Sequence, residues 1–518
     1  MKLDRNKYLE SRSLTPRTLF LAILSVNLIL GLIVWLFPSD GISLGDNSKL
    51  KFVSMSELRG EQDSAITVVN IDDVLLGVEP NEGKKHISQD SLSSDSTPDI
   101  AQQTVGTDSA KHLSSKRSLQ LPDNNPYALK MILRGINVES RTKVVRILHY
   151  GDSQLEGDRI TDYFRNRIQQ RFGGEGPGIL LPSEPAASSR RSVFVSESKN
   201  FNKNAIYVKG SKVEANKYGI GGSAYNVSGA TSNFLGWDSV LVNDTVTGVK
   251  KIRVAKYTKT NQAKAYIKFK MGYSGYSLAK KHSRITLLYQ NDQHSDINIR
   301  SDNYVNDYTL DPTVGVGVKQ WQISTKKKLT LTLTKGKFPT IYGIALDGDK
   351  GVAVDNFAMR GSSAIGFDKM NSAFYKRQLE KMNVRGIILQ YGINVVPNVR
   401  SDYGYYKKIL ARQLLSIKKA NPGVSIIVIG PSDMSRNKGG RMVSYSNIPL
   451  IRDAMKEAAL ESGCCFWDLY EAMGGENSMV AWVNKGLAQK DYTHFSYKGA
   501  KYVGEMLYEA IVEQLENN

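Results

Sequence analysis

Three patterns of apolar and polar positions divide this chain. Thr18 to Phe37 carries no charge, and Thr18, Ser25 and Asn27 are its only polar members. Its length matches the ~20 residues a helix needs to cross a bilayer. A second pattern alternates buried strands with amphipathic helices. It covers 126–184 and resumes over 349–518. Val144 to Leu148 reads as a strand, and Asp158 to Phe172 as a helix with Ile160, Phe164 and Ile168 four apart on one face. Tyr127 to Asn137 reads as a helix ahead of that first strand. Beyond 349 the pattern predicts helices over Phe374–Met382, Tyr405–Ala420, Ile448–Ser462 and Tyr497–Glu516. Strands are predicted over Ile387–Gln390, Ser425–Ile429 and Phe466–Leu469. The third pattern fills 185–348. There Thr, Ser, Val, Tyr and Asn dominate, in short alternating runs such as Ala265 to Lys270 and Leu329 to Leu333. Strands of that kind, separated by Gly, Asn and Asp turns, predict a β-sandwich or jelly roll. It interrupts the α/β region and is therefore an insertion. Its aromatic residues offer faces for sugar rings, but the sandwich core is the expected place for any single one.

Charge and the N-terminus bear on location. Lys2, Arg5, Lys7, Arg12 and Arg17 precede the apolar run. Positive charge stays in the cytoplasm, so 1–17 is expected as a cytoplasmic tail, 18–37 as a transmembrane anchor and the rest as extracytoplasmic. The run exceeds the h-region of a signal peptide, and no Ala-x-Ala site follows it. Most of 38–125 is expected to be a disordered linker. Gly77 to Asn125 is poor in aromatics and rich in polar residues, although Ile66–Val69 and Val74–Leu76 offer short apolar runs that could pack on the main body. The net charge is +19. It calls for an anionic neighbourhood, and no zinc finger, helix-turn-helix, RRM or KH signature points to nucleic acid. Cys464 and Cys465 are the only cysteines. Adjacent cysteines seldom pair, and their strand-like setting predicts inert core thiols with no metal site and no cofactor.

The candidate chemistry lies at strand ends. His149-Tyr150-Gly151-Asp152-Ser153-Gln154 follows the Val144 strand and places a serine at a Gly-containing turn. Asp491-Tyr492-Thr493-His494 places a carboxylate three residues before an imidazole. A serine hydroxyl needs a base, and the base needs an orienting acceptor, so Ser153, His494 and Asp491 form the minimum set for acyl transfer. Two further strand-end turns offer donors for an oxyanion: the N–H of Gly361, after Val352 to Met359, and the side-chain amide of Asn394, after Gly386 to Gln390. Gly221-Gly222-Ser223 and Gly229-Ala230-Thr231 compete with Gly361 for the first role. Taken singly, each segment is also an ordinary turn.

Taken together and in this order, the four segments resemble the blocks of the SGNH/GDSL hydrolases. Ser153 falls on the nucleophile, Gly361 on the glycine block, Asn394 on the asparagine of Gly-x-Asn, and Asp491 and His494 on the Asp-x-x-His block. The likeness spans about 140–182 and 350–518. It implies a flavodoxin-like α/β/α sandwich, with Ser153, Gly361 and Asn394 forming an oxyanion hole. Gly173-Gly174-Glu175-Gly176-Pro177-Gly178 and Gly474 to Trp482 look like the bacterial peptidoglycan O-acetylesterases, which also carry a β-rich insert. Gln154 departs from that subgroup, many of whose members have histidine after the serine. What the resemblance implies is a serine esterase acting on an O-acetylated envelope glycan, held in a bacterial inner membrane with its catalytic domain in the periplasm. An O-acetyltransferase on the same scaffold and a non-catalytic glycan-binding protein are the alternatives.

Overall fold

The computed structural model describes residues 16–36, 42–43, 49–50, 69–75, 78, 80, 117–184, 190–228, 230–244, 248–261 and 264–517. Met1–Val68 with Lys438–Arg441 forms one unit and the remaining residues a second. In the first, Pro16–Leu36 is a 21-residue α-helix. The side chains described along it are exposed, from Phe20 through Leu30 and at Leu32 and Ile33. Those of Leu19 and Gly31, and all from Val34 on, lie outside the described residues. Among the described residues no helix is long and apolar enough to cross a membrane. The tail 1–15 and most of the linker 38–125 also lie outside them.

The second unit is built on five parallel strands: β1 (Val144–Gly151), β2 (Gly351–Ala358), β3 (Val384–Gln390), β4 (Ser425–Ile429) and β5 (Cys465–Trp467). Their order across the sheet is β2-β1-β3-β4-β5. This is the flavodoxin-like order, with a switch point between β1 and its two neighbours. Period-two alternation assigns each side chain to a face. Leu148, Leu389, Val428 and Phe466 pack with Leu379, Leu414 and Met455 of the helices Ser372–Lys381, Gly404–Ala420 and Ile448–Glu461. Ile147, Val354, Ile388, Ile427 and Trp467 pack on the other side with Phe164, Ile168 and Leu507, from the helices Thr161–Phe172 and Tyr497–Glu516. Strands buried on both faces explain the unbroken apolar runs. Each fully buried Ile or Leu contributes roughly 1.5–3 kcal/mol.

Between β1 and β2 the described residues form an antiparallel hairpin, Ala230–Asp244 with Gly248–Asn261, and two larger antiparallel sheets. One holds Val193–Glu197, Ala265–Met271, Ser295–Ser301, Tyr304–Leu310 and Lys328–Gly336. The other holds Phe201–Ala205, Ser223–Val227, Arg284–Gln290, Gly317–Gln322 and Thr340–Asp347. Ile267, Phe269 and Ile299 of the first share a core with Leu287, Ile341 and Ile344 of the second, which makes a sandwich. That core also takes in Tyr150 and Phe357 from the ends of β1 and β2. Its large aromatics Tyr225, Phe269 and Tyr342 are buried, whereas Tyr273 is 84% exposed.

Several boundaries differ from the sequence expectation. Gly178–Leu180, placed by sequence in the first α/β part, pairs with Leu346 to Ile344 and so belongs to the insert. The preceding glycines permit this close approach. A Cβ on Gly176, which has φ +92°, would lie 1.9 Å from the carbonyl oxygen of Leu346. The helix expected from Asp158 starts at Thr161, because Gly157, Asp158 and Ile160 all adopt positive φ. The strand expected over Phe466–Leu469 ends at Trp467, where Asp468 accepts the N–H of Glu471 and caps a short helix. The linker expected to reach Asn125 is ordered at both ends of its described part. Ile71, Val78 and Leu119 are buried in the α/β core, and Gln120 bridges to Phe466. The Trp467 indole donates to the carbonyl of Arg117 at 2.7 Å. These few apolar residues have a hydrophobic face to cover, which overrides the polar composition around them.

Candidate active site

The carboxyl ends of the five strands bring the predicted segments to one edge of the sheet. β1 ends in a tight turn at Asp152, whose Oδ1 accepts the N–H of Gln154 at 3.0 Å. Ser153 thereby opens a 3₁₀ turn, with its N–H at an N-terminus where no helical partner exists. Its hydroxyl lies 2.8 Å from His494 Nε2. His494 Nδ1 lies 2.7 Å from Asp491 Oδ2. The other oxygen, Asp491 Oδ1, accepts the N–H groups of Thr493 and His494, each at 3.0 Å. Three residues separated by 338 positions of sequence therefore form one hydrogen-bonded chain. Partial burial pushes the Asp491 carboxyl up, but these N–H groups and the imidazole outweigh it and hold the pKa below the usual carboxylate range. Asp491 stays ionised, as an acceptor for the imidazole must.

Asn394 is exposed after β3, and its Nδ2 donates to the carbonyl of Ser362 at 3.0 Å. That bond takes one amide proton and aims the group, leaving the other proton for a ligand. Gly361 sits in the turn after β2 at φ +75°, with open space around its Cα. Its N–H has no backbone partner among the described residues. The adjacent Arg360 pairs with Glu156 of the serine turn, at 2.6 Å from Nη2 to Oε2. Gly361 is thus tied to the same mouth. Gly221 and Gly222 are instead buried in the turn before Ser223–Val227, and Gly229 lies outside the described residues.

Other residues complete the site without a sequence signal of their own. Arg159 donates from Nη2 to the carbonyl of Ser153 and so fixes the peptide that follows the Ser153 side chain. Asp152 is 1% exposed, and burial pushes its carboxyl up to about 7 against the pull of the Gln154 N–H and Arg159. It shapes the turn rather than facing a ligand. Below the histidine loop, Trp482, the last residue of the Gly474-to-Trp482 segment, packs against Phe495 with ring centroids 5.2 Å apart and the rings tilted by 59°. His149 is buried between Gln390 and Thr161, and burial pushes its pKa down to about 3, so it is neutral. Burial also pushes both cysteine thiols up to about 12, which leaves them inert. Among the described residues no cluster of His, Cys, Asp and Glu could hold a metal ion.

No family model matches this chain, and no curated protein matches it in sequence. Solved structures do. A peptidoglycan O-acetylesterase aligns with a TM-score of 0.55 at 20% identity, over 76% of this chain and 97% of that one. An acetyl xylan esterase aligns at 0.24 and 13% identity, over 31% and 81%. A family two carbohydrate esterase from Cellvibrio japonicus aligns at 0.24 and 9% identity, over 62% and 99%. TM-scores of that size carry no weight here. The first likeness covers more of the chain than the α/β part alone supplies, and it shows that this protein shares its fold with that peptidoglycan O-acetylesterase.

Proposed function

We propose that this protein is a serine esterase of the SGNH/GDSL type that removes O-acetyl groups from an envelope polysaccharide, with peptidoglycan as the first candidate. The observation that carries the reading is the hydrogen-bonded chain from Ser153 Oγ through His494 to Asp491, at 2.8 and 2.7 Å. In the proposed reaction Ser153 attacks the ester carbonyl while His494 Nε2 takes its proton, and Asp491 stabilises the imidazolium. The tetrahedral oxyanion accepts hydrogen bonds from the Ser153 and Gly361 N–H groups and from the Asn394 amide. His494 then gives its proton to the departing sugar oxygen. A water molecule, deprotonated by His494, attacks the acetyl-serine, and acetate leaves with Ser153 restored. The fold shared with a peptidoglycan O-acetylesterase supports the substrate class, and a net charge of +19 suits an acidic wall or membrane surface. In the same reading residues 18–37 anchor the enzyme in a bacterial inner membrane, with the catalytic unit in the periplasm.

The test is acetate release from O-acetylated peptidoglycan by the full chain in detergent, with Ser153→Ala as the control. Release by the wild type, and a loss of at least about 10³-fold in the variant, is the expected result. Cleavage of an aryl acetate without release from peptidoglycan would redirect the reading to another acetylated glycan or to acetyl transfer. Equal activity in the variant would sink it.

A further inference from the structure

Gln154 follows the proposed nucleophile, is 2% exposed, and commits its polar atoms to two other loops. Its Nε2 donates to the carbonyl of Thr493 at 2.7 Å and to Ser432 Oγ at 3.2 Å. Its Oε1 accepts the N–H of Phe495 at 3.3 Å. A carbonyl only accepts and a peptide N–H only donates, so these partners fix which way the amide points. Thr493 and Phe495 flank His494. One side chain rooted beside Ser153 therefore grips the backbone on both sides of the histidine.

The bonds from Asp491 cannot do this. They run within residues 491–494, so they orient the imidazole inside its own loop and carry no reference to Ser153. The Ser153–His494 bond itself reverses direction when the proton moves to the imidazole, and its N–H must then turn to the departing oxygen. A link that persists through that step is needed to hold the distance. Gln154 supplies one, and as a neutral amide it adds no charge beside a histidine that must gain and lose a proton in each cycle. We propose that Gln154 is a positioning residue, which sets the Ser153–His494 separation without adding a second charge beside His494. This rests on the reading of Ser153 and His494 as nucleophile and base.

Three variants of the full chain test it: Gln154→Met, Gln154→Glu and Gln154→His. A fluorophosphonate probe counts active sites, and aryl acetate hydrolysis is followed across pH. Gln154→Met keeps the length and loses every side-chain hydrogen bond. Per active site, its kcat and its labelling rate should fall by about 10- to 100-fold with KM little changed, the size of effect that an ångström of misplacement produces. Gln154→His retains a ring N–H for the Thr493 carbonyl and should keep more activity than Gln154→Met. Gln154→Glu puts an anion beside the imidazole, which favours the imidazolium. The acid limb of kcat/KM should move up by about half a pH unit or more. A role in folding alone would lower the amount of active protein and leave the per-site rate and the acid limb in place. That outcome, in Gln154→Met and Gln154→Glu, overturns the proposal. If Gln154→Met does not fold, the acid limb of Gln154→Glu and the per-site rate of Gln154→His decide. Failure of the wild type to label at Ser153 would instead overturn the reading of the site.

Discussion

Two charged constellations flank the Ser153 turn, and they use similar groups to opposite ends. One is the proposed catalytic chain, where the side chains of Asp491 and His494 are 46% and 25% exposed. The other is a seam of buried ion pairs between the sheet and the insert. Arg165 holds Asp158 at 2.7 and 2.9 Å and reaches the carbonyl of Val354 at 2.6 Å. Arg190 holds Glu184 at 2.6 Å and lies 3.3 Å from Asp158. Arg146 on β1 bridges Asp355 of β2, at 2.6 Å, and Asp347 at the end of the insert. These seven side chains are at most 8% exposed. Three guanidiniums face four carboxylates there, burial pushes the Asp355 carboxyl up, and desolvation is so costly that none can leave its partner. The contrast teaches what burial selects. Deep pairs fix the join of two modules and hold Asp158 in its positive-φ conformation. The half-exposed pair leaves an imidazole at the mouth of the site, with its acceptor stabilised by backbone N–H groups instead of a counter-charge.

The contrast breaks most sharply under a pair of substitutions. His494→Ala should lower kcat by about 10³-fold or more while leaving the urea midpoint nearly unmoved. Arg146→Met strands two buried carboxylates and should cost about 3–5 kcal/mol in urea unfolding, with kcat per folded molecule changed only a few-fold. If both variants lost activity and stability together, the two constellations would not be separate. A smaller effect is expected for Asn394→Ala, about 10²–10³ in kcat with KM little changed, since one oxyanion donor is worth ~2.7–4 kcal/mol. Steady-state kinetics on an aryl acetate would measure it, and an unchanged kcat would remove Asn394 from the oxyanion hole.

A pH-dependent effect concerns Asp152, whose carboxyl burial raises to about 7, above an unfolded value of ~3.9. Between those values the folded state keeps a proton that the unfolded chain has released. Stability from this group is therefore full below about pH 4 and is lost as pH rises towards 7. The wild type should lose stability relative to Asp152→Asn over that window, by at most about 4 kcal/mol. Urea unfolding of both proteins at pH 4, 5.5 and 7 would show it. The contributions of His149 and His282, which burial pushes down to about 3 and about 4, are common to both and cancel in the difference. A constant difference would mean that Asp152 is ionised in the fold.

Much of the architecture is legible without coordinates. The predicted helix Tyr497–Glu516 and strand Ser425–Ile429 agree with the structure end to end, because periodicity and caps such as Ser496 are local properties. The glycine, asparagine, serine and histidine segments stand out because each terminates an apolar strand or lies in a turn of small and polar residues. Other features are not local. Gln154 reads as a featureless polar residue until the fold brings Ser432, Thr493 and Phe495 to it. The first helix loses its expected opening turn because positive φ at Gly157, Asp158 and Ile160 is held in place by distant partners such as Arg190. Hydrophobic patterning along the chain determined which segments become strands and helices and which turns carry polar groups, since each choice depends on neighbours a few residues away. Only the tertiary structure decided the strand order, the join to the insert and the 2.8 Å approach of Ser153 to His494. Those depend on burying two faces of one sheet at once, which no stretch of sequence can do alone.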